Sequence, residues 1–386
     1  MTRTFEKIGL DRIVIAGFRI LRMNFEKLRS HKNVELDEQG DTTYKLDDKQ
    51  YFRKLKIIDN CFFGTLLAGT KKGKSGQFDY AHLDITIGNP KTGNLHNLSL
   101  TQYRHKIIEI ISYLNTEYGI VIDPHDIRIH RMEINCTFRI TDSFPRYHRA
   151  LRLLMYNLPN SYQKITQILK KNTAEYSLDA ETFYRGNQSM QIKIYDKKRQ
   201  LEDVYKYYSN DNLIRIEFVL LTPQKIREAF GDNKLNQLTE DGIIHYYYKQ
   251  FVRLFEKPYR KWQKNNQLLL IKLIKKHKAL NATYWQRNIL SECRNQEQKA
   301  LVPTLLDINN LLQAIKSLEK NGHYKRVEKS LLSKCKPDDI YLQGDSQKIE
   351  EIITTVTRIY EEQTATADTL PQTPYCGEPP LTAILR

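Results

Sequence analysis

Regular alternation of apolar and polar residues predicts several β-strands in the first part of the chain. The predicted strands span residues 11–20, 61–67, 82–87, 128–140, 191–195 and 213–221. Alternation of this kind is typical of a strand with one buried face and one polar face. In the strand at 191–195, Ile192 and Ile194 face the core. Tyr195 therefore points away from the core, on the same side as Lys193.

Helical spacing of apolar residues predicts the remaining elements. Predicted helices cover 100–118, 145–157, 196–208, 243–255, 268–277, 307–320 and 349–360. One polar face per strand favours antiparallel pairing. We therefore predict an α+β fold with a central, mainly antiparallel sheet, helices on one face and a helical C-terminal region. The expected domains are 1–222, with the sheet, and 223–361, which is helical; the Thr- and Pro-rich residues 362–386 are expected to form a disordered tail.

Charge narrows the class of partner. The 386-residue chain has 61 Lys and Arg against 45 Asp and Glu, a formal net charge of +16. An excess spread along the chain indicates a polyanionic partner, most commonly nucleic acid. No apolar run approaches the ~20 residues of a membrane span, and no apolar signal segment is present at the N-terminus. Five scattered cysteines form neither a disulfide framework nor a zinc motif, so a reduced, cytoplasmic location is expected.

The loop at 69–77 is basic and contains glycines, but it does not match a phosphate-binding loop. Only three residues separate Gly69 from Gly73, and no helical pattern follows Ser75. Lys72 and Lys74 are candidates for contact with a DNA backbone. The alternative is a solvated hairpin tip.

Three predicted strands carry a carboxylate on the polar face. These residues are Asp84, Glu133 and Glu217. Arg131 and Arg215 each precede a glutamate by two residues and share its face, so the pairs could also be salt bridges of a half-exposed strand. If the strands are neighbours, the carboxylates suit Mg²⁺ or Mn²⁺, which can polarise a phosphodiester.

Tyr195 ends its strand among several cations, and Lys197 and Lys198 follow it directly. A tyrosine in this setting can attack phosphate and form a covalent phosphotyrosine. The lysines could lower the pKa of the tyrosine or neutralise phosphate charge. Tyr184, at another boundary between strand and turn, is a rival nucleophile, and an ordinary rim tyrosine is the alternative interpretation of Tyr195.

The order of these motifs resembles the replication initiators of filamentous phages, the gene II and X proteins. It is also similar to related plasmid initiators and to relaxases of conjugative elements. The resemblance spans roughly residues 10–230. It is carried by the order of the Asp84 strand, the loop with Pro90, His96 and Asn97, the helix that follows, and the segments 131–134, 193–197 and 214–218. It implies that Tyr195 is the nucleophile and that Glu133 and Glu217 bind the metal. The third ligand stays open among Asp84, His82 and His96, because the His-hydrophobic-His pair of many relaxases is missing.

The resemblance also implies an activity. Such a protein nicks one strand at a single-stranded or hairpin origin, leaving a 5′-phosphotyrosine and a 3′-OH primer for rolling-circle replication, and later rejoins the ends. Arg131, Arg215 and Lys193 are then expected to contact DNA, and a host helicase and the replication machinery are expected partners. The alternatives are a relaxase that nicks a transfer origin for mobilisation, and a non-catalytic DNA-binding regulator.

Overall fold

The computed structural model describes a large part of the chain. The described residues are 6–15, 20–37, 44–46, 49–51, 54–61, 64–70, 83–88, 97–124, 127–159, 161–162, 166–168, 182–206, 208–264 and 345–369. Among them, no helix is both long and apolar enough to cross a bilayer.

A large antiparallel sheet organises the fold. The strands are β1 Ile8–Ile15, β2 Ile20–Met23, β3 Val34–Asp37, β4 Tyr44–Leu46, β5 Lys49–Tyr51, β6 Lys54–Cys61, β7 Gly64–Thr70, β8 Leu83–Gly88, β9 Ile120–Ile122, β10 Ile129–Arg139, β11 Thr166–Ile168, β12 Thr182–Gly186, β13 Met190–Asp196 and β14 Leu213–Leu220. Ten of them form one sheet in the order β11-β12-β13-β14-β10-β1-β8-β7-β6-β3, while β2 pairs with β9 and β4 with β5. Each described strand pair is antiparallel, in agreement with the predicted architecture.

Seven α-helices have their bounds defined among the described residues. They are α1 Phe25–Ser30, α2 Leu100–Tyr118, α3 His148–Tyr156, α4 Lys197–Tyr205, α5 Pro223–Phe230, α6 Glu240–Phe251 and α7 Asp345–Thr369. Helix α2 begins with a capping box between Ser99 and Gln102 and ends at Gly119, whose φ of 67° is left-handed. Glycine adopts this conformation without a steric penalty, which explains the sharp end of the helix.

The hydrophobic core lies on one face of the sheet. Alternate residues of β10, β13 and β14 are fully buried there, among them Ile134, Ile194 and Ile216. Helices α2, α3, α5, α6 and α7 contribute side chains to the same core cluster. Helix α4 differs, because it follows β13 directly and borders the opposite, polar face.

Helix α7 joins the C-terminal region to the start of the sheet. Arg358 forms a 2.7 Å ion pair with Glu6. The side-chain amide of Gln363 accepts a hydrogen bond from the backbone N–H of Ile8 at 2.7 Å and donates one to its carbonyl at 3.1 Å. Apolar residues of α7 such as Ile352 are buried in the common core, so this helix is an integral part of the folded unit.

The structure corrects several predicted boundaries. The strand expected at 61–67 is two paired strands, with β6 ending at Cys61 and β7 starting opposite it at Gly64. Helix α7 continues to Thr369, so the expectation of disorder is wrong for residues 362–369. The helices predicted at 268–277 and 307–320 lie outside the described residues.

Candidate functional site

Strand register arranges the polar face of the sheet in rows. One row runs across β10, β14, β13 and β12 through Asn135, Glu217, Lys193 and Tyr184. The neighbouring row contains Thr137, Arg215, Tyr195 and Thr182. Residues directly opposite on antiparallel strands have their Cβ atoms about 5 Å apart, so neighbours in a row interact. The register therefore brings Tyr195, Lys193 and both Arg-x-Glu motifs to one region.

The Tyr195 hydroxyl donates a hydrogen bond to Oε1 of Glu217 at 2.5 Å. The tyrosine lies on the polar face, outside the hydrophobic cluster, yet it is only 8% exposed. Burial, and next the Glu217 charge, raise the pKa of Tyr195 well above 10. The phenol is therefore neutral at physiological pH, and Glu217 is the group in contact with its proton.

Arg215 lies opposite Tyr195 in the pairing of β13 with β14 and is 1% exposed. Its Nε donates to Thr137 Oγ1 at 2.7 Å, and its Nη1 lies 3.2 Å from Asp11 Oδ1. The prediction that Arg215 contacts DNA is wrong for this structure, because protein groups enclose the guanidinium. It is instead a permanent positive charge held beside the tyrosine.

Asp11 reaches this site from a β-bulge. In the pairing of β1 with β10, Leu10 lies opposite Ile134 and Arg12 opposite Glu133, which leaves Asp11 as the extra residue. A bulge redirects a side chain that regular alternation would orient otherwise. Burial by itself raises the pKa of Asp11, but Arg215 and then Lys197 outweigh it, and the net pKa is lowered.

Lys197 is the first residue of α4 and is 6% exposed. Its Nζ donates to Gln200 Oε1 at 2.7 Å. Burial, together with the repulsion of Arg215, lowers the pKa of Lys197 to about 7. The amine can therefore gain or lose a proton near neutral pH, which suits acid–base chemistry.

Glu133 and Glu217 share a lysine. Lys193 Nζ lies 3.7 Å from Glu133 Oε1 and 3.3 Å from Glu217 Oε2. Arg131 also donates to Glu133, at 2.8 Å. Burial, and next the charge of Glu217, raise the pKa of Glu133, which is the expected effect of two carboxylates in one poorly solvated place.

These groups open onto a cleft of about 410 Å³. Its lining comprises Asp11, Glu133, Thr182, Lys193, Tyr195, Asp196, Arg199, Gln200, Asp203 and Glu217. Arg215 and Lys197 are buried next to this lining. The cleft thus combines a tyrosine, several carboxylates and several cations, with its floor on the sheet and one wall on α4.

The carboxylates of the cleft provide some of the ligands that a divalent metal needs. No group of three His, Cys, Asp or Glu among the described residues is arranged to hold a metal ion. Magnesium, however, is commonly bound by one or two carboxylates together with substrate phosphate and water. Glu133 and Glu217 could supply those two carboxylates, and Lys193 currently lies between them.

Several predicted site residues lie elsewhere. Tyr184 is on the polar face opposite Lys193 but does not line the cleft. Asp84 lies in β8, four residues along the strand from Gly88, and its backbone pairs with Gly69 of β7. Because Gly88 is opposite Arg12, which is opposite Glu133, the register separates the backbones of Asp84 and Glu133 by two strand spacings and four residues, about 16 Å.

One more predicted residue is described and does not line the cleft. Lys198 follows Lys197 on α4 and is half-buried, but it is not among the lining residues. Lys72, Lys74, His82 and His96 lie outside the described residues.

Asp11 and Thr137 belong to the site although alternation along the strands does not indicate them. Asp11 is followed directly by Arg12 inside an otherwise apolar strand. Two successive polar residues interrupt the period of two, as the extra residue of a bulge does. Thr137 shows no comparable signal, since its role depends on the register of β10 with β14.

No family model matches the chain, and no curated protein matches it. Among solved structures, the chain is similar to a rolling circle replication initiator protein from Geobacillus stearothermophilus. The sequence identity is 13%, the TM-score is 0.33, and the match covers 64% of this chain and 85% of that chain.

Proposed function

We propose that this protein is a replication initiator that nicks one strand of DNA at an origin. The observation that supports the proposal most directly is the hydrogen bond from the Tyr195 hydroxyl to Glu217 at the edge of a cleft with several cations. A buried tyrosine whose proton already contacts a carboxylate is arranged for nucleophilic attack. The strongly basic chain, with a net charge of +16, suits a nucleic-acid substrate.

In the proposed reaction, the Tyr195 oxygen attacks the scissile phosphorus while Glu217 takes the phenolic proton. A bond forms between tyrosine and phosphorus, the bond from phosphorus to the 3′ oxygen breaks, and a 5′-phosphotyrosine remains. Lys197, with a pKa of about 7, can give a proton to the departing 3′ oxygen. Arg215 stabilises negative charge on the phenolic oxygen during the attack. The free 3′-OH is the primer, and the reverse steps rejoin the ends.

A divalent cation, Mg²⁺ or Mn²⁺, would be held by Glu133 and Glu217 and would polarise the phosphate. Asp11, which lines the same cleft, takes precedence over Asp84 as a further carboxylate near this pair. Lys193 and Arg131 are proposed to contact DNA phosphates from the cleft, and Lys72 and Lys74 stay candidates for the flanking DNA.

The phosphotyrosine conserves the energy of the broken phosphodiester bond, so rejoining the ends needs no nucleotide cofactor. Unwinding of the duplex is assigned to a host helicase.

The test is a nicking assay on supercoiled plasmid that carries the protein's own origin, with Mg²⁺ or Mn²⁺. Tyr195→Phe is expected to reduce nicking by at least about a thousandfold and to abolish the covalent protein–DNA adduct that survives denaturation. Tyr184→Phe is the matched control, since it removes a hydroxyl from the same face of the sheet, and it should nick normally.

Undiminished nicking by Tyr195→Phe would refute the assignment, and loss of nicking in Tyr184→Phe alone would transfer it to that residue. A protein that binds the origin in EDTA and forms no adduct under any condition would instead be a DNA-binding regulator. Nicking at a transfer origin, with none at the replication origin, would indicate a relaxase for mobilisation.

A further inference from the structure

Lys193 occupies an unusual position between two buried carboxylates. Its Nζ lies within 4 Å of both Glu133, at 3.7 Å, and Glu217, at 3.3 Å. The two glutamates are 5% and 2% exposed. Two carboxylates with so little access to water need a nearby cation, because burial strengthens their mutual repulsion.

The Lys193 ammonium is able to move away from the two carboxylates. The Lys193 side chain is 24% exposed and lines the cleft, whereas the side chains of its two partners are 6% and 3% exposed. Its backbone is fixed in β13 opposite Glu217, but four rotatable bonds separate that backbone from the ammonium. The ammonium can therefore move from the carboxylates toward the cleft without any change in the sheet.

We propose that the Lys193 ammonium is a resident counter-ion for the Glu133–Glu217 pair, which a divalent cation displaces from the carboxylates toward the bound phosphate. This inference rests on the proposed function, since it concerns the same cleft. It makes Lys193 a positioning residue with two locations. In the DNA-free protein it contributes one of the positive charges beside the carboxylates, together with Arg131 and Arg215, and in the loaded protein it faces the DNA backbone.

Competition between the Lys193 ammonium and a divalent cation for the carboxylate pair has a measurable consequence. Removal of the lysine charge should make the carboxylate pair a better site for a divalent cation. Lys193→Gln is expected to bind Mn²⁺ roughly tenfold more tightly than the unmodified protein, the scale of one charge-assisted hydrogen bond. The measurement is a Mn²⁺ titration of the DNA-free, full-length protein, followed by electron paramagnetic resonance of the free ion.

Two further variants separate charge from folding. Lys193→Arg retains a cation and should keep an affinity close to that of the unmodified protein. Lys225→Gln is the matched control, because Lys225 is 25% exposed and also pairs with a glutamate, Glu228, at 3.0 Å. It should leave Mn²⁺ affinity unchanged. Adding Glu133→Gln to Lys193→Gln should abolish the gain, which would locate the ion.

The outcomes distinguish this inference from the proposed function. Equal Mn²⁺ affinity in Lys193→Gln and the unmodified protein would overturn the displacement of Lys193 and leave the metal site intact. Weaker binding in Lys193→Gln would likewise overturn it. Absence of Mn²⁺ binding from all variants would overturn both the displacement and the metal component of the proposed function, while Tyr195 would still be testable by its covalent adduct.

Discussion

The burial of a charged residue at the cleft lowers the stability of the folded protein. Lys197 is buried beside Arg215, and burial lowers its pKa to about 7 from an ordinary value of 10.5. Below pH 7 the lysine is charged in both the folded and the unfolded chain, so the full cost of burying the charge is present. Between about pH 7 and 10.5 the unfolded chain binds more protons, and the free energy of unfolding therefore rises with pH.

Lys197→Met should accordingly stabilise the protein while it impairs nicking. We expect an increase in the free energy of unfolding of about 1–2 kcal/mol at pH 6, which diminishes as pH rises toward 10.5. Urea unfolding at several pH values measures it. Lys225→Met, at a surface ion pair with Glu228, should change stability by no more than about 0.5 kcal/mol. Destabilisation by Lys197→Met at pH 6 would show that the lysine has a structural role.

At the level of elements, the bulge in β1 brings a residue of the first strand to the face that carries the cleft. The extra residue, Asp11, pairs with the buried Arg215. The hydroxyl of Tyr103, on α2, donates a hydrogen bond to the Asp11 backbone carbonyl. A guanidinium that is 1% exposed requires a partner, because an isolated buried charge is strongly unfavourable.

A double-mutant cycle should reveal this coupling. Asp11→Ala, Arg215→Met and their combination are expected to give an interaction energy of at least about 1.5 kcal/mol in urea unfolding. The comparison pair is Arg139 and Asp211, which are 2.9 Å apart but 39% and 42% exposed, and which should give about 0.5 kcal/mol or less. Equal coupling in the two pairs would contradict a special role for the bulge.

The strands and the bulge also determine which features of the site can be predicted from the sequence. Alternation predicts that Glu133, Glu217 and Tyr195 share the polar face, because a strand has a fixed period of two. Alternation does not predict which strands are neighbours. A contact between Tyr195 and Glu217 follows only if β13 pairs with β14, and the sequence does not show that pairing. The burial of Arg215 depends on Asp11, whose bulge breaks the period from which the faces were derived.

In the molecule as a whole, the two faces of the sheet differ, because helices cover one face and the cleft with its charged side chains lies on the other. Helices α5, α6 and α7 cover the apolar face, and the cleft lies on the opposite, polar face; under the proposed function, this polar face binds the DNA. Arg131 is 34% exposed and pairs with Glu133 at the cleft, whereas Lys225 is on α5, which contacts β10 and β14. Cations on the two sides should therefore contribute differently to DNA binding.

Salt dependence measures that difference. Each phosphate contact to single-stranded DNA contributes a slope of about −0.7 to the logarithm of affinity against the logarithm of salt concentration. Arg131→Gln should reduce the steepness of this slope by roughly 0.7 in fluorescence anisotropy with a single-stranded oligonucleotide, whereas Lys225→Gln should not change it. Because the contact is electrostatic, the affinity lost in Arg131→Gln should be similar for oligonucleotides of unrelated sequence. An unchanged slope in Arg131→Gln would remove this arginine from the DNA path, and an equal effect of both variants would mean that DNA is not confined to the face that carries the cleft.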